Sequence, residues 1–261
     1  MSSMAHGKKT LMPGMKILLA SCLLLPACAA FLAFPARAGP PFLTENADVL
    51  DFRHFEGYLF SALDRTHDDS TVAAHAFELN CGVLSETQFH LVLPFIRASA
   101  SGGQVEYGVG DVEVGLYRRL VRESGILPQV TFLPSVAFPS GNPDRGLGNG
   151  STWARLALSA QKGSDPWDTY ASIGYVINNS SGSRSHLLGG WALQRRMSDL
   201  LMLGCELFAR GAADADDRST LILNAGGGLA LADNLSLLFS SGISLAGRDH
   251  VVGYLGVYHA W

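Results

Sequence analysis

Hydrophobic and polar residues alternate with a period of two from residue 52 to the end of the chain. This period is typical of β-strands, whose side chains point to opposite faces in turn. Helical periodicity is weak, and glycine recurs inside the apolar segments, where it would destabilise a helix. The pattern predicts about twelve strands, at residues 52–63, 72–81, 86–97, 105–120, 126–138, 151–162, 167–178, 185–196, 201–210, 219–231, 235–245 and 251–261.

The connections between these strands alternate in length and composition. Links rich in Gly, Asp and Ser, such as 139–150 and 211–218, alternate with tight turns, such as 82–85 and 163–166. Long loops at one rim and short turns at the other are typical of transmembrane barrels, in which an even strand number returns both termini to the periplasm. A soluble sandwich has no reason to sort its loops in this way. We therefore predict an all-β fold, a transmembrane up-and-down antiparallel β-barrel.

The apolar segments after residue 38 support a barrel over a helical membrane protein. None of them reaches the run of about 18 apolar residues that a spanning helix needs, so a membrane fate would have to use strands in a closed barrel. In the last predicted strand Val251, Leu255, Val257 and Trp261 share one face, and the chain ends on this aromatic residue.

The first 38 residues have the pattern of a secretory signal peptide. Lys8 and Lys9 precede an apolar stretch at 17–34, which closes on small residues and predicts cleavage after Ala38. A lipoprotein with lipidated Cys22 is the alternative. We expect a signal peptide at 1–38, a periplasmic N-terminal segment at 39–51 and a barrel at 52–261, located in the bacterial outer membrane.

Charge and cysteine content narrow the function classes. Four of the 19 basic residues and none of the 23 acidic residues lie in 1–38, so the rest of the chain has 15 basic residues and a formal charge of −8. Nucleic-acid binding is excluded because it needs a basic face. Cys81 and Cys205 alone form no disulfide framework or metal-ligand pattern, and they are expected to act as small apolar residues.

The two rows of each predicted strand differ in polarity. The apolar rows, for example Leu203, Cys205 and Leu207, are expected to contact lipid, and aromatic residues such as Tyr117, Tyr170 and Trp191 to form interfacial belts. The opposite rows are expected to line the lumen, because a charge at mid-membrane on the lipid face costs about 2–4 kcal/mol. These lumen candidates are Glu56, Glu78, Asn80, Asp111, Glu113, Arg119, Arg155, Gln194, Arg196, Glu206 and Asn224.

The lumenal charges allow two functions, a polar passage for a solute or a salt-bridged core that fills a narrow barrel. A membrane hydrolase is a third candidate, with Ser185, His186 and His90 as its residues. Ser185 and His186 point to opposite faces of a strand, and no nucleophile signature is present. We expect no enzyme activity, no catalytic residue, no cofactor and no metal site.

Several short motifs resemble one family of outer-membrane proteins. They are the segment 39–44, the Gly-Asp-Val-Glu segment 110–113, Leu-Pro-Gln at 127–129, the Gly-Leu-Gly-Asn-Gly loop 146–150 and the segment 191–195. Together they resemble the family named for the MetA pathway of phenol degradation, over residues 39 to 261.

This resemblance implies a porin-like transporter of small, aromatic or hydrophobic solutes. It also implies that Asp111, Glu113 and Gln194 are barrel-interior residues, and that a loop near the mouth contains Gly146, Gly148, Asn149 and Gly150. The expected partners are the lipid bilayer, lipopolysaccharide, a small-molecule solute and, during folding, the barrel-assembly machinery. The alternatives are a non-transporting structural barrel with a salt-bridged lumen and the hydrolase.

Overall fold

A computed structural model describes residues 40–66, 71–99, 104–214 and 217–261, with no side chains described for 71–73. The predicted signal peptide lies outside the described residues. The described residues form thirteen strands, namely β1 (Phe55–Thr66), β2 (Thr71–Leu84), β3 (Thr87–Ser99), β4 (Val105–Val109), β5 (Val112–Val121), β6 (Gln129–Phe138), β7 (Trp153–Ser164), β8 (Trp167–Asn178), β9 (His186–Arg196), β10 (Leu201–Arg210), β11 (Thr220–Ala232), β12 (Leu235–Ala246) and β13 (His250–Ala260).

The strands form one closed antiparallel barrel with twelve strand positions. Apart from β4 and β5, which both pair with β3, consecutive strands pair with each other, and β1 pairs with β13 to close the sheet. The fourth position holds both β4 and β5, which are separated at Gly110 and Asp111. Strand β4 pairs with residues 95–99 of β3, and β5 pairs with residues 87–92. The predicted closed barrel of about twelve strands is confirmed.

The two rims of the barrel differ, although less strictly than the sequence predicts. We call the rim with connections 85–86, 122–128, 165–166, 197–200 and 233–234 the turn end, and the opposite rim the loop end. The chain enters β1 and leaves β13 at the turn end. Connection 139–152 at the loop end is long, but 247–249 at the same rim is shorter than 122–128 at the turn end.

The predicted two-faced strands are present. Outward side chains such as Leu59, Leu158, Cys205 and Leu255 are exposed at the barrel surface, where an apolar row can contact acyl chains. The inward row contains most of the buried polar residues. The predicted aromatic belts need a correction, because five tyrosines of the described residues turn inward while Trp167, Trp191 and Trp261 face outward. The inward tyrosines are Tyr58, Tyr117, Tyr170, Tyr254 and Tyr258.

Helical structure is nearly absent from the described residues. They contain a single 3₁₀ turn, Pro143–Arg145, in the long loop 139–152. None of them forms a helix long and apolar enough to cross a bilayer.

Candidate functional site

Residues 40–51 lie inside the barrel. We call this segment the strap. It has no regular secondary structure, and Phe42, Thr44, Ala47 and Val49 are buried. The sequence pattern predicts a periplasmic position for 39–51. The structure differs because the strap's backbone groups find hydrogen-bond partners on inward-facing side chains of six strands.

The first part of the strap is held by the wall formed by β9, β10 and β12. The Glu206 carboxylate on β10 accepts hydrogen bonds from the Leu43 N–H (2.7 Å), the Thr44 N–H (2.8 Å) and the Thr44 hydroxyl (2.7 Å). Ser240 donates to the Pro41 carbonyl over 2.7 Å. A β-carbon on Gly190 would lie 2.1 Å from the Thr44 hydroxyl oxygen, so glycine in this strand leaves space for the strap.

The middle of the strap is held by an ion-pair group. The Arg155 guanidinium on β7 pairs with Glu45 of the strap and, at 2.9 Å, with Glu113 of β5. Ser159 donates to the Glu45 carbonyl over 2.7 Å. Because Arg155 bridges two carboxylates, the strap is tied to two strands of the wall at one point.

The last part of the strap is held by neutral and cationic side chains close to the turn end. The Ala47 N–H donates to the Gln161 side-chain oxygen at 3.0 Å, and Thr131 donates to the Ala47 carbonyl. Arg119 donates to the Val49 carbonyl at 2.6 Å, and the Leu50 N–H donates to Gln88 at 2.9 Å. The strap therefore crosses the lumen from mid-barrel to the turn end and leads directly into β1.

A cavity of about 500 Å³ lies between the strap and the wall formed by β1–β3 and β5–β7. We call that side the charged wall, defined by Glu78, His90, Glu113, Arg119 and Arg155. The cavity is also lined by Glu45, Asp48, Asp51 and Glu56. Carboxylates thus outnumber the two arginines at its surface, and Arg155 is already shared between two of them.

Two carboxylates of this cavity are held by neutral partners. The Tyr258 hydroxyl donates to Glu56 at 2.8 Å. The Asn80 amide donates to Glu78 at 2.8 Å, and His90 bonds the Asn80 oxygen at 2.8 Å while its ring stacks on Tyr117. These bonds fix the side chains in one arrangement inside the barrel.

The opposite side of the lumen is apolar near the loop end. Leu188, Phe208, Ile222 and Val252 pack together, and we call this cluster the apolar wall. Each is the third residue from the loop end of its strand, on β9, β10, β11 and β13. They share the inward row with residues such as Gln194, Glu206 and Asn224. A second inward cluster joins Leu238 to tyrosines of β1 and β13.

The lumen residues predicted from sequence occupy three kinds of position. Asp111 lies at the break between β4 and β5, where its two oxygens accept the N–H groups of Gly141 (3.0 Å) and Asn149 (2.7 Å). Arg196 lies at the turn end and pairs with Asp165. The remaining candidates face the barrel interior, namely Glu56, Glu78, Asn80, Glu113, Arg119, Arg155, Gln194, Glu206 and Asn224.

Hydrogen bonds hold the predicted mouth loop against the barrel wall. Besides its bonds to Asp111, Asn149 exchanges two side-chain hydrogen bonds with Asn178, each 3.0 Å. Gly146 and Gly150 have φ angles of 66° and 74°, which favour glycine. Gly148 lies so close to Asp111 that a β-carbon would be 2.4 Å from its carboxylate oxygen.

Sequence reasoning missed the strap and several inward polar residues, among them Gln88, Thr131, Ser159 and Gln161. Ser159 and Gln161 lie on the same face of β7 as the predicted Arg155, so the period of two could have identified them. The segment 40–51 itself has no periodicity that reports its location.

The hydrolase candidates are not brought together. Ser185 bonds to Asn178 at the loop end, and His186 bonds to the Arg184 carbonyl. His90 lies on the charged wall with Asn80. The described residues contain no group of three or more His, Cys, Asp or Glu side chains that could hold a metal ion.

The closed barrel, with an apolar outer row and an enclosed lumen, defines the class as an outer-membrane-type β-barrel. Residues 73–259 match the family described as "Putative MetA-pathway of phenol degradation". The chain belongs to this family, as its motifs predict.

Three solved structures show the same fold. The COG4313 outer membrane channel from Pseudomonas putida F1 is 16% identical over 86% of this chain and 100% of that chain, with a TM-score of 0.68. The NanC porin is 6% identical over 78% and 98%, with a TM-score of 0.55. The KdgM porin is 9% identical over 77% and 98%, with a TM-score of 0.51. No curated protein sequence matches the chain significantly.

Proposed function

We propose that this protein is a bacterial outer-membrane channel that admits small solutes with an aromatic or apolar surface. The observation that carries the proposal is the apolar wall. An inward row in a water-filled barrel is normally polar, yet four apolar side chains on four strands meet inside the loop end. Such a patch favours a solute that is itself partly apolar, because contact between the solute and the patch removes apolar surface from water.

The comparisons support the same class of function. The family description refers to phenol degradation, and the similar solved structures are described as a channel and two porins. The Phe60–Tyr254 and His90–Tyr117 ring stacks provide further aromatic surface inside the barrel. A solute would enter at the apolar wall and pass the strap along the charged wall.

Uptake by intact cells tests this proposal. Cells with this barrel in the outer membrane should take up labelled p-cresol faster than cells without it, and the uptake rate of labelled xylose should increase much less. Phe208→Ser should reduce the increase in p-cresol uptake. Phe208→Leu should preserve this increase because the site stays apolar. An equal gain for both solutes, or none for either, would contradict the proposal.

A second candidate, a structural barrel that transports nothing, is favoured by the bonds that fill the lumen around Arg155 and Glu206. Planar bilayer recordings separate the two functions. If neither the wild-type protein nor a variant that lacks residues 40–48 conducts ions, the structural barrel is supported and the channel is rejected.

We also propose that residues 1–38 are removed on export and that the barrel is inserted by the assembly machinery into a membrane with lipopolysaccharide. The support is the sequence pattern of the leader and the barrel fold. The intact mass of protein from the outer-membrane fraction should match a chain that begins at Gly39. A mass that retains the leader would reject the cleavage site.

A further inference from the structure

The two ends of the strap are held by different chemistry. Its last residues bond to amides, a hydroxyl and Arg119, and they continue covalently into β1. Its first residues have no strand before them among the described residues, and most of their hydrogen bonds end on the carboxylate of Glu206. The first end is therefore the one that a single wall residue can release.

Glu206 depends on the strap as much as the strap depends on it. The side chain is 1% exposed, and burial of a carboxylate is costly unless donors surround it. Three of its four hydrogen bonds come from Leu43 and Thr44, and the fourth comes from the Asn224 amide at 2.8 Å. No described Lys, Arg or His forms an ion pair with it.

Of the two side-chain amides beside Glu206, only that of Asn224 donates to the carboxylate. The side-chain oxygens of Gln194 and Asn224 are buried and have no hydrogen-bond partner. The Gln194 amide nitrogen already donates to the Tyr170 hydroxyl at 3.0 Å. Hydrogen-bond acceptors therefore exceed donors around the Glu206 carboxylate. This surplus favours a peptide segment that presents backbone N–H groups to it.

Apolar packing supports the same end of the strap. Phe42 packs on Tyr170 of β8 and Ala192 of β9. It directly precedes Leu43 and Thr44, the two residues that bond to Glu206. The Phe42 contact places the strap in the lumen without fixing its direction, whereas the bonds to Glu206 fix two consecutive backbone N–H groups.

We infer that Glu206 is the positioning residue that keeps the first end of the strap in the lumen and thereby limits passage through the barrel. The effect on passage rests on the proposed channel function, whereas the effect on the strap does not. Loss of the negative charge leaves at most neutral hydrogen bonds to Leu43 and Thr44, and charge-assisted bonds are about twice as strong as neutral ones. Residues 40–44 are then released, while Glu45 stays paired with Arg155 and the last end stays docked.

Hydrogen–deuterium exchange of the full-length protein in detergent tests the strap directly. In Glu206→Gln the Leu43 and Thr44 amides should exchange at least about tenfold faster than in wild type, the factor that loss of one charge-assisted bond gives. The Ala47 and Leu50 amides should keep their wild-type rates. Glu78→Gln is the matched control, because Glu78 is a buried lumenal carboxylate whose hydrogen bond comes from Asn80 and not from a strap N–H, and it should leave all four amides unchanged.

Bilayer conductance tests the effect on passage. Glu206→Gln should conduct more than wild type and approach a variant that lacks residues 40–48, whereas Glu78→Gln should not. Unchanged exchange at Leu43 and Thr44 in Glu206→Gln would overturn the inference. So would faster exchange without increased conductance when the strap-deleted variant conducts well. If the strap-deleted variant does not conduct either, the channel function itself fails, and the exchange result still decides the role of Glu206 toward the strap.

A milder variant keeps the test valid if Glu206→Gln does not fold. Thr44→Val preserves the side-chain shape and removes one of the three donors, so Leu43 and Thr44 should exchange faster than in wild type but slower than without Glu206. Wild-type exchange rates in this variant would also contradict the inference.

Discussion

The charged wall and the apolar wall face each other across one lumen and are made from strands with the same outward pattern. Outside, both sides show Leu, Val and Ile to the lipid. Inside, one side pairs Arg155 with Glu45 and Glu113, while the other packs Phe208 against Ile222 and Val252. Lipid therefore fixes the outward row of a barrel, whereas the inward row is free to differ around the circumference.

Replacement of Arg155 in the charged wall should have the largest effect on stability. Arg155→Met leaves Glu45 and Glu113 close together without their shared partner, and loss of one member of a buried ion pair costs about 3–5 kcal/mol. Urea unfolding from lipid vesicles, followed by tryptophan fluorescence, should show this loss. Arg122→Met is the control, because the Arg122 side chain is largely exposed and its partner Glu86 keeps a second ion pair with Arg119, and exposed pairs contribute at most about 1 kcal/mol. Equal losses in both variants would refute the difference between lumen and surface.

A charge on the outward row should be the next most costly change. Cys205 is exposed near the middle of β10, and Cys205→Arg should destabilise the barrel by about 2–4 kcal/mol. Cys205→Leu at the same position should be nearly neutral. Unfolding in the same vesicles measures both, and a well-tolerated arginine would show that this row does not contact lipid.

Truncation within the apolar wall should have a moderate effect. Phe208→Ala removes packing against Ile222 and Val252, and we expect a loss of about 1.5–3 kcal/mol, the range for burial of one apolar side chain. Phe208→Leu should lose less. If Phe208→Ala does not change the unfolding free energy, the cluster is a solute-contacting surface alone and does not support the fold.

The smallest effect concerns the turn end outside the membrane. A hydrogen bond from Lys162, aided by the Gly163 N–H, holds the pKa of Glu123 below its usual range. The ionised form is thus favoured by folding, so its stabilisation is present above the ordinary carboxyl pKa of about 4.3 and disappears as the pH falls through the lower folded pKa. Because the pair is largely exposed, Glu123→Gln should cost less than about 1 kcal/mol at pH 7. The cost should vanish in acid, and a cost that does not depend on pH would contradict this account.

The strands were predictable from sequence because each carries its own period-two pattern, set by the lipid on one side. Long-range features were not predictable in the same way. The strap bonds join residues up to 199 positions apart, as between Pro41 and Ser240, and nothing local in 40–51 indicates those partners. The inward tyrosines also misled the sequence analysis, because a ring with a polar hydroxyl suits an interfacial belt and a lumen equally well.

The break in the fourth strand position shows a further limit. The pattern at 105–120 predicts one strand, and its residues do occupy one position in the barrel. Its interruption depends on Asp111, which turns to the N–H groups of Gly141 and Asn149 in a loop some 30 residues later. Such a contact can be found only when both segments are seen together.

Among the described residues the strap precedes every strand, yet its partners are on β3, β5, β6, β7, β10 and β12. These partners are brought together only when those strands are in register. The strap therefore finds its full set of partners only in the closed ring, although it precedes every strand along the described chain.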